Sequence, residues 1–291
     1  MKIIIPVSER DLSLATALSE LLVQQGGLGA HHGVLLTAPN VTARDGEIAS
    51  NLQKAFGTFT RVPLEGGITE VGGPQHPFQP HVFAANQMFQ SAVRWLANID
   101  NRDEWYWFEA DNVPLSERWA DELARDYFNS MALKRPFLGK VLPLAIYENK
   151  EGSVTIREDE AQPYMMGSGI YPPRFEQYSQ LWKSAKSIPW DVTCQWEIVP
   201  KATATDKIIH NHSTKAYKVI EDNKLSCQLV SEPSRSKTEI TIPEGTLVFH
   251  GCKDTSLIDI VKEKPNSLSS IVGMIKGSFG QKSKSVVDKK K

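Results

Sequence analysis

Glu109 and Asp111 stand one residue apart, directly after the run Trp105-Tyr106-Trp107-Phe108, and the segment closes at Asn112-Val113-Pro114. Four bulky apolar residues in a row have the pattern of a core strand. Such a strand ordinarily ends in neutral turn chemistry, because unpaired charge at the margin of a core is costly. Two carboxylates there make chemical sense if a divalent cation neutralises them. Magnesium and manganese take oxygen ligands and are commonly held by one or two carboxylates plus substrate phosphates. The alternative is a solvated acidic turn that caps the helix beginning near Ser116.

A second group, Phe249-His250-Gly251-Cys252-Lys253-Asp254, follows a β-branched run from Ile240 to Val248. A neutral imidazole can complete a cation's coordination, and an ammonium three residues on can hold a diphosphate as a point charge. Gly251 permits close backbone approach. By itself a histidine at a strand end reads first as a polar turn residue; beside an acidic strand-end motif in the same chain it becomes more specific.

The elements that must position these residues follow from hydrophobic periodicity. Lys2 to Val7 reads as a β-branched strand. An amphipathic helix follows from about Asp11 to Gln25, with Leu12, Ala15, Leu18, Leu21 and Leu22 on one stripe, and Gly26-Gly27 stops it. Gly33 to Thr37 is a second strand, Thr42 to Phe56 a second helix and Phe59 to Pro63 a third strand. This alternation implies parallel pairing in an α/β sheet, whose ligands sit at the carboxyl ends of strands. A loop from Leu64 to Pro80 precedes a helix from about Val82 to Asn98 that carries Phe89 and Trp95 on its core face. After the acidic corner come a helix from Glu117 to Asn129 and a strand from Phe137 to Ile146. An exposed hairpin at Glu148 to Glu160 follows, then short strands at Lys207–Ile209, Leu225–Leu229, Glu239–Ile242 and Thr246–Phe249. The expected organisation is a nucleotide half over 1–145, a mixed acceptor half of the same domain over 146–275, and a tail over 276–291.

Composition is that of an ordinary globular protein: 291 residues, 41% hydrophobic, 23% charged, net charge −1. No apolar run approaches the roughly 18 residues that cross a bilayer. The start, Met1 to Pro6, turns polar too soon for a signal peptide, and Cys194, Cys227 and Cys252 form no CxxC pair. A cytoplasmic protein with free thiols is expected. The tail carries six lysines (Lys276, Lys282, Lys284, Lys289, Lys290, Lys291) against Asp288, a charge of +5. A mobile basic tail attracts polyanions, DNA or anionic lipid; a solubilising end is the plainer reading.

An acidic D-x-D-like triplet after a hydrophobic strand, with a late H-x-G-x-x-K-like segment, resembles the nucleotide-sugar glycosyltransferases of the GT-A fold. More closely, Phe108 to Pro114 and His250 to Asp254 look like glycosyltransferase-like proteins of tailed phages. The likeness spans roughly residues 1 to 262, with only these stretches specific. It implies an open mixed α/β sheet of GT-A type and a Mn2+ or Mg2+ ion bridging Asp111, His250 and the diphosphate of a nucleotide sugar, a UDP-sugar being the expected donor. It also implies Glu109 on the metal or the ribose, a nucleotide pocket lined by Pro6, Val7 and Ser8 with Asn86 nearby, and Lys253 on the diphosphate. In two places the chain departs from the pattern: its first acid is Glu, and the late motif lacks the Pro-Trp that often follows its lysine.

A transferase of this class that inverts configuration needs a base on the acceptor hydroxyl, and Asp191, beside Trp190 at a sharp aromatic turn, is the candidate. Capping Val192 to Glu197 is its structural alternative. Gly167-Ser168-Gly169, ahead of Ile170-Tyr171-Pro172-Pro173, offers bare backbone beside an aromatic ring, as in an acceptor floor. It lacks the third glycine and following helix of a dinucleotide fingerprint, and the chain has no Walker A sequence. His210 and His212 form a ligand pair by spacing, but without neighbouring acids they read as structural; His76 and His81 belong to the long loop. The acceptor suggested by the phage likeness and the basic tail is a hydroxymethylated base in DNA. A glycan or lipid-linked acceptor, a non-catalytic nucleic-acid-binding module and a two-metal nucleotidyltransferase are the other readings.

Overall fold

Lys2–Val7 (β1) is buried at all six positions, as befits a β-branched strand covered on both faces. The computed structural model describes residues 1–64, 80–150, 153–184, 189–221, 224–231, 238–240 and 242–263. After β1 come α1 (Leu12–Gln25), β2 (His32–Thr37), α2 (Gly46–Ala55) and β3 (Thr58–Pro63), then α3 (Pro80–Asn98), β4 (Trp105–Trp107), β5 (Asn112–Pro114) and α4 (Trp119–Ala132). The remainder runs β6 (Phe137–Lys150), β7 (Ser153–Tyr171), α5 (Trp190–Thr193), α6 (Gln195–Ile198), β8 (Ala202–Ala204), β9 (Ile208–Glu221), β10 (Lys224–Ser231), β11 (Thr238–Ile240), β12 (Val248–Cys252) and α7 (Ser256–Lys262).

Among the described residues these strands make two sheets. The larger is an open mixed sheet of seven strands in the order β3-β2-β1-β4-β7-β6-β8; the smaller has the order β11-β10-β9-β12-β5. β1 pairs in parallel with β2 and β4, and β2 with β3, whereas β7 runs antiparallel to β4. This is the α/β class expected. No helix of the described residues is long and apolar enough to cross a membrane.

The divergence of β1 and β4 opens the site. Their ladder runs only from Lys2↔Trp105 to Ile4↔Trp107, with a last bond from Phe108 N to Ile4 O at 2.9 Å. β1 continues through Pro6, whose missing donor is harmless because β4 has already left. The period-2 alternation of the aromatic strand sorts its rings: Tyr106 and Phe108 face Trp119 of α4, and Trp105 and Trp107 face Phe89 of α3. All six are fully buried or nearly so, each contributing about 1.5–3 kcal/mol of transfer free energy. The corner that follows is therefore held between two packed layers.

Several elements differ from the sequence expectation. The acidic segment closes at Pro114 as expected, but Asn112–Pro114 is itself a strand, which carries the chain from the larger sheet into the smaller. The run Ile240 to Val248 is broken at a turn containing Gly245, so His250 lies inside β12 rather than beyond a strand end. β9 spans Ile208–Glu221, far longer than the expected Lys207–Ile209, because its polar residues are paired in succession, by β12 at its start and by β10 from Thr214 on. β6 and β7 form one long antiparallel hairpin where a shorter strand and a separate small hairpin were expected. α2 starts at Gly46, since the Arg61 guanidinium takes Asp45 and the Thr42 carbonyl into a preceding turn.

Candidate functional site

The corner Glu109-Ala110-Asp111 is a tight turn closed by its own next residue. Asn112 donates through both its backbone N–H and its side-chain Nδ2 to the Glu109 carbonyl, each at 3.0 Å. Its Oδ1 accepts from Ser168 Oγ at 2.6 Å, which ties the corner to β7. β12 arrives antiparallel to β5 with His250 opposite Asn112, and Gly251 N donates to the Asp111 carbonyl at 3.3 Å. The two motifs, 141 residues apart, thus meet through a short sheet ladder.

Nε2 of His250 lies between two carboxylates, 3.0 Å from Glu109 Oε2 and 3.1 Å from Asp111 Oδ1. Glu109 Oε1 accepts from Trp107 Nε1 at 3.1 Å, and the Lys253 ammonium donates to Asp111 Oδ2. One ligand atom from each of Glu109, Asp111 and His250 falls within 4.8 Å of the other two, a span one ion can bridge. Asp111 and His250 are buried, whereas Lys253 is 59% exposed, so the cluster opens toward solvent on the lysine side.

Electrostatics reinforce the arrangement. Burial pulls the His250 imidazole down, but the Asp111 charge and hydrogen bond, with those of Glu109, outweigh it and hold the ring up to about 9. Burial pushes Asp111 and Glu109 up, and His250 with Lys253 overcomes this, so both stay ionised well into acid. Lys253 is raised: its burial is outweighed by the charges of Asp111 and Glu109.

Asp191 closes the other side. Its Oδ2 accepts from Gly167 N at 2.9 Å and its Oδ1 from Val192 N at 3.0 Å. Burial, then the Glu109 charge, raises its carboxyl to about 6, against the opposing effect of those N–H donors. Asp191 lies in the first turn of α5, whose N-cap is Pro189. A side chain at Gly167 would sit 3.2 Å from the Trp190 ring, 3.6 Å from Asp191 and 3.7 Å from Glu109, so Gly167 is where these three converge. Trp190 stacks on Phe89 with centroids 3.3 Å apart and planes 8° from parallel.

The remaining candidates divide. Ser8 lies at the carboxyl end of β1, donating through Oγ to Asp11 at 2.6 Å. Pro6 and Val7 belong to the buried strand, Val7 with no exposed surface. Asn86 is buried, and its Oδ1 accepts from Trp190 N at 2.8 Å, which fixes the Asp191 turn to α3. Ser168 has no exposed surface, and Gly169 packs on the Leu138 carbonyl and Met165, so neither side of that pair faces the cleft-side residues that Gly167 touches. His76 and the basic tail lie outside the described residues, as do the side chains of His81 and His212.

Sequence reasoning gave three residues no part in the site. Asp11 is raised by burial and further by Glu109 and Asp111, so it faces the acidic corner; Ser8 and Asp11 at capping-box spacing after β1 were the legible signal. Asn112 locks the corner. His210, read as structural, stands against His250 with the two Nδ1 atoms 3.0 Å apart, a meeting that only the strand register reveals.

No family model and no curated protein matches the chain. Among solved structures it is similar to the galactosyltransferase LgtC in complex with donor and acceptor sugar analogs, at 11% identity over 97% of this chain and 98% of that one, with a TM-score of 0.47. It is also similar to 4-diphosphocytidyl-2C-methyl-D-erythritol synthase, at 15% identity, 66% and 82% coverage and a TM-score of 0.37. The bifunctional IspDF from Campylobacter jejuni matches at 14% identity, 70% and 49% coverage and a TM-score of 0.36. Likenesses this distant assign no substrate and no residue role; the α/β class with an open mixed sheet stands on the strand order and direction described above.

Proposed function

We propose that the chain is a metal-dependent glycosyltransferase that moves a sugar from a nucleotide-diphosphate donor to a hydroxyl acceptor. The observation that carries this reading is the meeting of Glu109, Asp111 and His250 where β4 leaves β1, with the Lys253 ammonium beside them. Two carboxylate oxygens and one imidazole nitrogen are a donor set suited to Mn2+ or Mg2+. Such an ion, when bound, withdraws charge from the departing diphosphate.

The protein's own groups supply the rest. Lys253, freed from Asp111, places its ammonium on the diphosphate and favours the charge that builds there as the sugar–oxygen bond breaks. Asp191, raised to about 6, is ionised at neutral pH and still basic enough to take the proton of the acceptor hydroxyl as its oxygen bonds to the anomeric carbon. The backbone N–H groups of Gly167 and Val192 hold that carboxylate in place. Ser8 and Asp11, at the carboxyl end of β1, are the groups offered to a nucleoside, with Pro6 and Val7 beneath them, and a UDP-sugar is the proposed donor. Trp190 and Gly167 form the acceptor side.

The division into a nucleotide half and an acceptor half belongs to the same proposal, as does a cytoplasmic setting. A hydroxymethylated base in phage DNA is the proposed acceptor, reached with the help of the lysines in 276–291. The test is thermal stabilisation by a panel of nucleoside diphosphates with and without manganese, followed by donor hydrolysis. Metal-dependent stabilisation that vanishes in Asp111→Ala is expected; stabilisation indifferent to metal and to that substitution overturns the reading. Deleting 276–291 is expected to weaken DNA retention while donor hydrolysis persists, and unchanged DNA retention would remove the DNA acceptor from the proposal.

A further inference from the structure

We infer that His210 is the positioning residue that fixes the tautomer of His250 and so aims its Nε2 lone pair at the cation; this inference rests on the metal site proposed above. His210 and His250 are register partners in the parallel ladder between β9 and β12, so their side chains leave the same face. The rings lie 4.7 Å apart, tilted by 45°, with Nδ1 facing Nδ1 at 3.0 Å. The ladder shifts register immediately afterwards, and the irregularity is built around Gly251: its φ is +118°, and a Cβ there would stand 2.0 Å from the Asn211 carbonyl. That close approach brings β12 against β9 at the level of the two imidazoles.

Proton bookkeeping on the ring gives His210 its role. A neutral imidazole carries one N–H, and a ring that coordinates through Nε2 must carry it on Nδ1. The Nδ1 of His250 faces two atoms, Nδ1 of His210 at 3.0 Å and Sδ of Met166 at 3.1 Å. A thioether is a weak acceptor, whereas an unprotonated imidazole nitrogen is a strong one. His210 therefore takes the Nε2–H tautomer and accepts from His250 with its Nδ1. Metal-ligating histidines are generally oriented by a carboxylate, a carbonyl or water on the second nitrogen; in this chain both nearby carboxylates face the other nitrogen, and a second histidine fills that place. With Nδ1–H engaged, the His250 ring cannot flip away from Glu109 and Asp111 without orphaning a buried donor.

The test compares His210→Leu, which removes the acceptor, with His210→Asn and His210→Gln, which restore a carbonyl acceptor. Manganese binding is measured by calorimetry on folded protein, checked by circular dichroism. A 10–100-fold loss of affinity is expected for His210→Leu, with recovery to within a few-fold in His210→Asn or His210→Gln. Equal affinity in wild type and His210→Leu, or equal losses in all three variants, overturns the inference while leaving the metal site standing. Wild-type protein that binds no divalent cation overturns the site itself and this inference with it. Long-range 1H–15N spectra of the magnesium-loaded wild-type protein give a second readout independent of whether any variant folds. Nδ1–H on His250 with Nε2–H on His210 is expected, and Nδ1–H on His210 overturns the inference.

Discussion

If the Glu109–Asp111–His250 cluster binds a cation as proposed, binding must expel a proton. Without an ion, Nε2 of His250 carries a hydrogen shared between Glu109 Oε2 at 3.0 Å and Asp111 Oδ1 at 3.1 Å, and the ring is held up to about 9. At pH 7 that is two units below the titration point, so removing the proton costs about 2.7 kcal/mol, at about 1.36 kcal/mol per unit. The apparent affinity for manganese is therefore expected to rise about tenfold per pH unit from pH 6 to 8 and to level off above 9, with about one proton released per ion at pH 7. Calorimetry in buffers of different ionisation enthalpy reads both quantities. The stability of the metal-free protein follows the same proton. A histidine raised from 6.5 to about 9 contributes stability that is complete below 6.5 and is lost as pH rises through 9, by roughly 3–3.5 kcal/mol. The metal-free melting temperature should fall across that window and the metal-loaded one should not. Binding that is flat with pH and releases no proton would refute the placement of His250 Nε2 on the ion.

Lys253→Met is expected to free Asp111, so manganese binds severalfold more tightly while nucleoside diphosphate binding weakens by about tenfold or more, the usual loss for a charged hydrogen bond; parallel titrations separate the two. Gly251→Ala combines strain at φ +118° with a Cβ placed 2.0 Å from the Asn211 carbonyl, and is expected to cost about 2–5 kcal/mol in urea unfolding. A loss below about 1 kcal/mol would show that β12 does not depend on that approach. If Asp191 is the base, the transfer rate falls about tenfold per unit below pH 6, and Asp191→Asn removes that acid limb together with most of kcat; a variant with an unchanged profile counts against it.

The β1-α1-β2-α2-β3 part was legible because strands and helices there keep clean periods of 2 and 3.6. The acidic corner was legible because charge directly after four buried aromatics has few other uses. β5, by contrast, is three residues long and has no period to detect. The polar stretch through His210 gave no strand signal, since its strand character comes from pairing with β12 and then with β10, and not from its own residues. Asp191 was singled out, but its link to Gly167 crosses 24 residues and depends on how α5 packs on β7. Asn86, expected near a nucleotide, holds the Trp190 backbone through its Oδ1, a contact set by tertiary packing that no sequence period announces.

On the proposed function, the charges imply that metal and donor arrive together. In the metal-free cluster the two carboxylates are balanced by the His250 imidazolium and the Lys253 ammonium, and Lys253 is engaged with Asp111. A diphosphate meets no uncompensated positive charge there. Exchange of the imidazolium proton for a divalent ion adds one net positive charge and loosens the hold of Asp111 on Lys253, so the cluster acquires the charge and the free ammonium that a diphosphate needs. Because Asp111 and His250 are buried, this change of charge is felt in a medium less polar than water, where it counts for more. On the proposed function, ion and nucleotide are therefore expected to be thermodynamically coupled, each raising the affinity of the other by the same factor.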